Sequence, residues 1–353
     1  MDELRDRIDE LDAHIVADIS QRIKVAEAIG QQKKQQGKPV NDNEREKLVL
    51  EHITSLAQAE KISPDDIAAI YQRIILACKR IQGVSVAFQG ERGAYSEEAA
   101  LQFFGTSIQT LPRESIDNVF EAVEKQAAEF GVVPVENSLE GSITRSYDRL
   151  LDSNLKVCGE ILLRVSHCLI GLPEARLDAI RKIYSHPQAL GQCQNYLRQL
   201  GAELIPTYDT AGSVKIIMEK GKADRAAVAG ARAAEIYGMK ILAREIEDNN
   251  HNITRFFVLA QTDSPPTGND KTSIVFSVRH QPGALYQSLR GLADRSINLT
   301  KIESRPTRLK PWEYNFYVDL EGHREEPRFQ EALENLEKTT IFVKVLGSYP
   351  RAG

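Results

Sequence analysis

The strongest constraint on this chain is an apolar stripe of helical period at its N-terminal end. Apolar residues recur every three or four positions over residues 3–36, as they do along one face of an α-helix. The stripe consists of Leu4, Ile8, Leu11, Ile15, Ile19, Ile23, Ala26 and Ile29. A helix of about 34 residues spans roughly 50 Å, which exceeds the width of a small domain. Two shorter helices, predicted over residues 43–60 and 64–82, cannot cover that stripe alone, so residues 1–83 are expected to form an all-α intertwined dimer.

The pattern changes after Gly83. Short β-type runs alternate with helical runs over residues 84–260, which favours an α/β fold of one domain or of two lobes around a cleft. Residues 261–271 have no periodicity and are rich in Pro, Gly and polar residues, so we expect a linker. The order βαββαβ over residues 272–353 predicts a ferredoxin-like unit.

Composition argues against several classes of protein. The chain has 45 Lys and Arg against 50 Asp and Glu, a net charge of −5, and therefore no general basic field for nucleic acid or an anionic membrane. No apolar run approaches the roughly 18 residues of a membrane helix, and the first residues lack a signal or transit pattern. The four cysteines form no CxxC pair. We therefore expect a cytoplasmic protein with free thiols and no metal site.

Cations on the long helix are spaced to hold a small dianion. Arg22 and Lys33 are 11 residues apart, which returns them to within about 20° of one face with Cα atoms about 16 Å apart. Arg5 lies about 25 Å from Arg22 and is rotated by about 100°, so it cannot reach the same ligand from its own helix but could reach the partner's in an antiparallel dimer. Any one of these charges alone would more often be a solvated surface charge.

In order, these residues and those that follow resemble the all-helical chorismate mutase family. The matching positions are Arg5, Arg22, Lys33, Pro39-Val40, Asp42, Arg45, Glu46 and Gln82. The sequence departs from the family at Cys78, where a Ser is common. The family's reaction, chorismate to prephenate, is a pericyclic rearrangement that requires electrostatic stabilisation but no cofactor.

This resemblance implies a role for each matching residue. Arg5 of the partner subunit and Arg22 would bind carboxylates, for which guanidinium groups are suited. The ether oxygen would be stabilised by Lys33 and Gln82, and the ring hydroxyl would be bound by Glu46. The other expected lining residues are Asp42, Arg45 and Cys78.

Three polar motifs stand at predicted strand ends of the α/β segment. They are Pro134-Val135-Glu136-Asn137-Ser138, Ser185-His186-Pro187-Gln188 with Gln192 beyond it, and Thr254-Arg255-Phe256. In this order they resemble prephenate dehydratases, which implies two α/β lobes similar to periplasmic binding proteins. The resemblance assigns to Thr254 the role of general acid or relay at the departing hydroxyl.

The same resemblance makes Arg255 a partner of a substrate carboxylate. It makes Asn137, Ser185 and Gln192 polar lining residues. Two other proton donors stay open. His186 is a candidate because histidine is the side chain suited to proton transfer near neutral pH, although a His before Pro more often holds a turn. Glu136 would serve only if burial raised its pKa.

Two motifs of the C-terminal segment resemble an ACT domain of the phenylalanine-regulated kind. They are Gln281-Pro282-Gly283-Ala284-Leu285 and Glu303-Ser304-Arg305-Pro306. The resemblance implies an effector site formed by Gly283, Ala284, Leu285, Glu303, Ser304 and Arg305. Because ACT units pair side by side and bind ligand at their interface, it also favours a homodimer or a higher even oligomer.

Together the three resemblances predict a bifunctional chorismate mutase–prephenate dehydratase. Such an enzyme is an isomerase and a lyase that forms prephenate from chorismate and phenylpyruvate from prephenate, with L-phenylalanine as feedback inhibitor. No metal, cofactor, nucleic acid or membrane is expected. Two alternatives stay open: a monofunctional dehydratase whose helices are only a dimerisation arm, and a non-catalytic amino-acid sensor.

Overall fold

The computed structural model describes residues 2–35, 43–81, 84–307 and 312–352. The chain divides into two compact units. One consists of Met1–Val86 with Phe104–Gln109, and the other of Ala87–Phe103 with Thr110–Gly353. The predicted fold class is confirmed, because a helical segment is followed by a two-lobed α/β segment and a ferredoxin-like segment.

The helical segment contains α1 (Asp2–Gln35), α2 (Asn43–Ala59) and α3 (Pro64–Ile81), and α3 packs against the other two. The start of α3 is set by Ser63, whose Oγ accepts a hydrogen bond of 3.3 Å from the backbone N–H of Asp66. The first half of the apolar stripe on α1 is 50–68% exposed in the single chain. Its exposed members are Leu4, Ile8, Leu11 and Ile15.

The α/β segment alternates between strands and helices as predicted. In chain order its elements are β1 Ser85–Gln89, α4 Tyr95–Phe104, β2 Gln109–Arg113, α5 Ile116–Glu124, β3 Phe130–Asn137, β4 Gly141–Ser142, α6 Thr144–Asp152, β5 Lys156–Arg164, β6 Cys168–Gly171, a 3-10 helix Leu177–Ala179, β7 Lys182–Ser185, α7 Pro187–Gln192, α8 Gln194–Leu200, β8 Glu203–Pro206, α9 Thr210–Lys220, β9 Arg225–Ala229, α10 Ala231–Tyr237, β10 Lys240–Ala243 and β11 Ile253–Ala260.

These strands form two sheets, one in each lobe. The sheet of the first lobe has the order β2-β1-β3-β11-β5, with β4 paired to β3, and that of the second lobe has the order β10-β6-β9-β7-β8. The chain crosses between the lobes through residues 165–167 and returns through residues 244–252. These crossovers bind each other, because Val165 N–H donates to Asn252 O at 2.8 Å and Ile246 N–H donates to His167 O at 3.0 Å.

The ferredoxin-like segment has the predicted βαββαβ order. Its elements are β12 Asp270–Ser277, α11 Ala284–Ala293, β13 Leu299–Pro306, β14 Tyr314–Glu321, α12 Pro327–Thr339 and β15 Phe342–Pro350. The strand order is β13-β14-β12-β15, and both helices pack on one face of this sheet. The other face packs on the first lobe, where Val275, Tyr317, Leu346 and Tyr349 belong to the same core as Phe257 of β11.

The linker predicted over residues 261–271 has no regular secondary structure before Asp270, where β12 begins, and it makes contacts on both sides. Ser264 Oγ donates to Cys158 O at 2.6 Å, and Ser264 O accepts from His323 Nε2 at 3.0 Å. Gln261 Nε2 also donates to Val123 O at 2.8 Å. The segment is polar because it lies at the surface. It forms hydrogen bonds with both the first lobe and the ACT domain, because the two sheets that it joins pack face to face.

Candidate active sites

The helical segment brings together two residues that the sequence assigns to the mutase. Arg22 on α1 donates a hydrogen bond of 2.9 Å from Nη1 to Sγ of Cys78 on α3. Cys78 is buried and Arg22 is half-buried, so this cation lies in the groove between two helices. Arg5 is exposed and lies 3.7 Å from Asp2 in the first turn.

The other mutase assignments stay predictions. Asp42 and Gln82 lie outside the described residues, and so do the side chains of Lys33 and Glu46. Arg45 is exposed near the start of α2.

The centre of the dehydratase site is a pair of residues on neighbouring strands. Asn137, at the end of β3, lies opposite Thr254, near the start of β11. Asn137 Nδ2 donates to Thr254 Oγ1 at 3.0 Å. The amide orientation follows from its other contacts, because Asn137 Oδ1 accepts from the N–H groups of Leu139 and Glu140 at 3.0 and 3.2 Å. Thr254 therefore accepts, and its own hydroxyl hydrogen is left to be donated to a ligand.

A β-bulge precedes this pair. Thr254 and Arg255 pair with Asn137 and Glu136, but the next residue of β11, Phe256, pairs with Pro134, so one residue of β3 is unpaired. Bulges re-aim the side chains beyond them. This one sets which of the last two residues of β3 shares a face with Thr254.

A polar network connects the pair to the second lobe. Asn137 Nδ2 also donates to Asn252 Oδ1 at 2.6 Å, and Asn252 Nδ2 donates to Gln192 Oε1 at 3.0 Å. Gln192 Oε1 lies 2.9 Å from His167 Nε2, and Gln192 Nε2 donates to Glu140 Oε1 at 3.0 Å. The structure thus brings together three predicted site residues, namely Asn137, Gln192 and Thr254.

His167 is a member of this network that the sequence did not single out. An amide oxygen only accepts, so His167 Nε2 carries the hydrogen that Gln192 Oε1 accepts. Its Nδ1 lies 2.9 Å from the Tyr95 hydroxyl oxygen, which itself donates to Ser166 O at 2.8 Å. Burial lowers the pKa of His167, against the opposing effect of its bond to Gln192. His167 therefore stays neutral near pH 7 and orients Gln192. Its only sequence signal was a polar residue between two apolar runs.

The structure corrects the role expected for Ser185. Its side chain is fully buried, and Oγ donates to Val228 O at 2.6 Å, which ties β7 to β9 rather than lining a cleft. The adjacent His186 caps α7, because its Nδ1 accepts from the N–H of Gln188 at 3.3 Å. This is the turn-holding role that its position before Pro187 favoured.

Arg255 also differs from its expected role. It follows Thr254 on a strand, so it points to the opposite face of the sheet. Its Nε donates to Glu160 at 2.8 Å, its Nη2 donates to the Tyr349 hydroxyl at 3.0 Å, and its Nη1 is paired with Asp319. These buried contacts occupy the guanidinium group, so it is not the substrate-carboxylate partner that the sequence predicted.

The turn after β1 is a second place where the backbones of the two lobes come close together. Gly93 has φ +88, and a Cβ there would lie 2.8 Å from the Cα of Ala233 on α10. Its N–H donates to buried Glu97 at 2.7 Å, and Arg232 of the second lobe lies 3.4 Å from the same carboxylate. Glycine is required here because the backbones of the two lobes approach too closely for a side chain.

A cavity of about 330 Å³ lies beside the start of α11. Its lining includes the predicted effector residues Gly283, Ala284 and Leu285. Gly283 has φ +78, and a Cβ on it would meet no atom within 4 Å. Exposed Ser304 pairs across strands with Phe316, which also lines the cavity.

Glu303 and Arg305 were also predicted to bind the effector, but side chains alternate between the two faces along β13, which corrects this prediction. Glu303 and Arg305 point to the face opposite Ser304, towards the first lobe. Arg305 Nη1 donates to Thr144 Oγ1 at 3.1 Å, and the Glu303 carboxylate accepts from the Ser142 hydroxyl. Both therefore belong to the contact with the first lobe.

Within the described ranges, no group of three or more His, Cys, Asp or Glu side chains is placed to hold a metal ion. No described helix has the length and apolar character that a membrane crossing demands.

Three family models match the chain in succession. They are chorismate mutase type II over residues 4–83, prephenate dehydratase over residues 86–264 and the ACT domain over residues 272–338. A curated relative, the bifunctional chorismate mutase/prephenate dehydratase of Aquifex aeolicus, is 41% identical over 99% of this chain and 98% of its own length.

Two solved structures match the segment after the helices. The prephenate dehydratase of Arthrobacter aurescens, in complex with L-Phe, is 31% identical with a TM-score of 0.70, over 76% of this chain and 90% of that chain. GqqA, described as a novel type of quorum quenching acylase, is 36% identical with a TM-score of 0.71, over 76% of this chain and 98% of that chain.

Proposed function

The chain belongs to the family of bifunctional chorismate mutase/prephenate dehydratases, and we propose how its residues carry out the two reactions and their control. It converts chorismate to prephenate and prephenate to phenylpyruvate, in phenylalanine biosynthesis. The proposal keeps the predicted boundaries: residues 1–83 for the mutase, 84–260 for the dehydratase and 272–353 for the ACT domain. Relatives that match the full length favour it over a monofunctional dehydratase or a non-catalytic sensor.

The mutase site is shared between two chains. Arg22 binds one carboxylate of chorismate and Arg5 of the partner subunit binds the other, while Lys33 and Gln82 stabilise the breaking ether bond and Glu46 binds the ring hydroxyl. Support comes from the half-buried position of Arg22 between α1 and α3. It also comes from the uncovered stripe on α1, whose helical spacing suits a second copy of the same helix.

The dehydratase reaction uses Thr254 as the donor to the leaving group. The carboxylate of the prephenate ring leaves as carbon dioxide, its C–C bonding electrons enter the ring, and the C4 hydroxyl takes up one proton and leaves as water. The observation that carries this assignment is the hydrogen bond from Asn137 to Thr254, which leaves the threonine hydrogen available. Gln192 lines the same site from the second lobe.

Control is assigned to the cavity at Gly283. Its volume of about 330 Å³ lies within the range of small-molecule sites, about 300–1,000 Å³. A similar dehydratase was solved in complex with L-Phe. We assign L-phenylalanine as the effector, bound where two ACT domains of a homodimer or higher even oligomer meet. We also assign the enzyme to the cytoplasm, because its four cysteines are buried and none of them is in a disulfide.

The test supplies chorismate to the purified protein and follows prephenate and phenylpyruvate, with and without phenylalanine. Thr254→Ala should let prephenate accumulate, with a dehydration rate lower by about 10²–10⁴-fold, the usual contribution of a general acid. Thr254→Ser keeps the hydroxyl and should retain much of the rate. Lys33→Ala should stop chorismate consumption and leave dehydration of supplied prephenate unchanged.

Each part can fail separately. A wild-type protein that dehydrates prephenate but ignores chorismate would be the monofunctional enzyme. One that yields no phenylpyruvate from prephenate would be the sensor. If Thr254→Ala dehydrated prephenate as fast as Thr254→Ser, the leaving group would have another donor.

A further inference from the structure

Four charged residues meet where the ACT sheet packs on the first lobe. On the lobe, Arg255 of β11 and Glu136 of β3 are cross-strand neighbours. On the ACT sheet, Lys301 of β13 and Asp319 of β14 are cross-strand neighbours too. The two pairs face each other with opposite charges: Arg255 binds Asp319, and Lys301 Nζ lies 2.8 Å from Glu136 Oε2. We call these residues the charge quartet.

The quartet is largely removed from water. The side chains of Arg255, Asp319 and Lys301 are 10%, 7% and 13% exposed, and that of Glu136 is 35% exposed. Ion pairs in such an environment depend strongly on geometry, because removal of one partner leaves an uncompensated charge. The quartet can therefore fix the position of the two sheets relative to each other.

Further hydrogen bonds hold each charge in place. Asp319 accepts from Ser273 Oγ at 2.5 Å, and Glu160 accepts from Arg255 Nε at 2.8 Å. Lys301 Nζ donates to the Tyr147 hydroxyl at 2.8 Å and to Ser142 Oγ at 3.1 Å. Ser142 is itself the β4 neighbour of Glu136, so Lys301 holds two adjoining strands of the lobe.

The lobe half of the quartet is adjacent to the dehydratase residues. Glu136 precedes Asn137, and Arg255 follows Thr254. Because side chains alternate along a strand, Asn137 and Thr254 point to the opposite face, away from the ACT sheet. The unpaired residue of the bulge, Val135, lies directly before Glu136. A displacement of Glu136 or Arg255 therefore displaces the hydrogen-bonded pair Asn137–Thr254.

We propose that Lys301 and Asp319 of the ACT domain are positioning residues for the dehydratase reaction, acting through Glu136 and Arg255 on the pair Asn137–Thr254. This inference rests on the proposed role of Thr254. It makes the ACT sheet a part of the dehydratase site and not only a sensor attached to it. Because the ACT sheet contacts β3 and β11 directly, an effector that displaces this sheet also displaces the strands that carry the reaction.

The test measures kcat and KM for supplied prephenate in the full chain. Lys301→Met and Glu136→Gln should each lower kcat by roughly 10- to 100-fold, since misplacement by about 1 Å can have that effect, while KM changes by less than about 3-fold. The double variant should be no slower than the slower single variant, because the two residues act as one unit. Lys301→Arg should restore part of the rate.

Lys344→Met is the matched control. Lys344 crosses the same interface from β15, and its Nζ donates to the carbonyl oxygens of Leu151 and Ser153 at 2.6 Å each, at the end of α6. That helix carries no assigned site residue, so kcat should stay near the wild-type value. Chorismate consumption by the separate helical unit should be unchanged in every variant.

Several results would overturn the proposal. They are an unchanged kcat in Glu136→Gln, equal losses in Lys301→Met and Lys344→Met, and additive losses in the double variant. Glu136→Gln is nearly isosteric and partly exposed, so it decides the matter even if Lys301→Met does not fold. Failure of the proposed function has a different signature, because Thr254→Ala would then dehydrate prephenate as fast as Thr254→Ser whatever the quartet variants do.

Discussion

Thr254 and Arg255 are neighbours in the chain with opposite surroundings. The threonine hydroxyl lies beside Asn137 and is left to donate, whereas the guanidinium of Arg255 is held by Glu160, Asp319 and Tyr349. A motif places both residues at a strand end but does not tell which face is covered by another sheet. The sequence therefore predicted the positions of this site better than the direction of each side chain.

The buried ring of His167 should make stability depend on pH. The unfolded ring takes up a proton near its ordinary pKa of about 6.5. Burial lowers the pKa of the folded ring, so below pH 6.5 the unfolded state binds more protons. The stabilisation from the neutral ring is thus complete above pH 6.5 and is lost as the pH falls from there through the folded pKa.

His167→Gln should remove this dependence. Melting temperatures should be measured from pH 8 to pH 5. At pH 8 the wild type should melt at a higher temperature than His167→Gln, and this difference should narrow towards pH 5. His251→Gln, at an exposed position, should follow the wild-type curve. A difference between wild type and His167→Gln that stays constant over the whole range would contradict the prediction.

The polar network also shows what sequence reasoning could not reach. Asn137, Gln192 and Thr254 were predicted because each lies in a recognisable motif. Asn252 and His167 lie on the two crossovers between the lobes, where no period or motif marks them. They become neighbours only because the crossovers bind each other, which is a property of the folded chain.

At the scale of elements, α1 leaves most of its apolar stripe exposed in one chain. Its period and its length were predicted correctly, because a sustained apolar stripe has few interpretations. Shorter elements were harder: the pattern over residues 187–200 predicts one helix, but the structure has α7 and α8 with a break at Cys193. Gly191, a residue of low helix propensity, lies two positions before that break.

Leu11→Asp should weaken the proposed dimer. One leucine is lost from each chain, which at about 1.5–3 kcal/mol per buried side chain amounts to about 3–6 kcal/mol per dimer, or roughly 10²–10⁴-fold in Kd. Sedimentation over a range of concentrations measures this, and mutase activity should fall in parallel. Ala13→Asp, on the opposite side of the helix, is the control. Equal effects of the two substitutions would mean that the stripe does not bind the partner.

The start of α11 allows a test of the effector cavity. Gly283 has φ +78, which Asn tolerates far better than a branched residue does. Gly283→Asn therefore keeps the backbone and adds a side chain where a Cβ meets open space. Phenylalanine inhibition and calorimetric binding of phenylalanine should both be lost, with the uninhibited dehydratase rate nearly unchanged. Normal inhibition of this variant would place the effector elsewhere.

At the scale of the whole molecule, two chains that each lack one mutase cation should restore one another. Arg5→Ala and Arg22→Ala should each lose mutase activity, because losing one partner of a buried carboxylate costs about 2–5 kcal/mol. After mixing and reassembly, half of the dimers are mixed and each has one intact site, so about a quarter of full activity should return. Mixed dimers without activity would show that each site belongs to a single chain.

At this scale the sequence did not show how closely the dehydratase and the ACT domain pack together. The composition of residues 261–271 suggested a linker. The run Ile274-Val275-Phe276 was the opposing signal, since continuous apolar residues are typical of a strand that is buried on both faces. Val275 packs in the core of the first lobe, and Ile274 and Phe276 pack under the ACT helices.

The place of Leu346 and Tyr349 in the core of the first lobe has a consequence for synthesis on the ribosome. These residues are made about 90 positions after β11, which at about 5–20 residues per second is roughly 5–20 s later. Until then the nascent first lobe has one face of its sheet uncovered. A premature stop a few codons before the end would therefore remove part of the dehydratase core and leave the mutase helices intact.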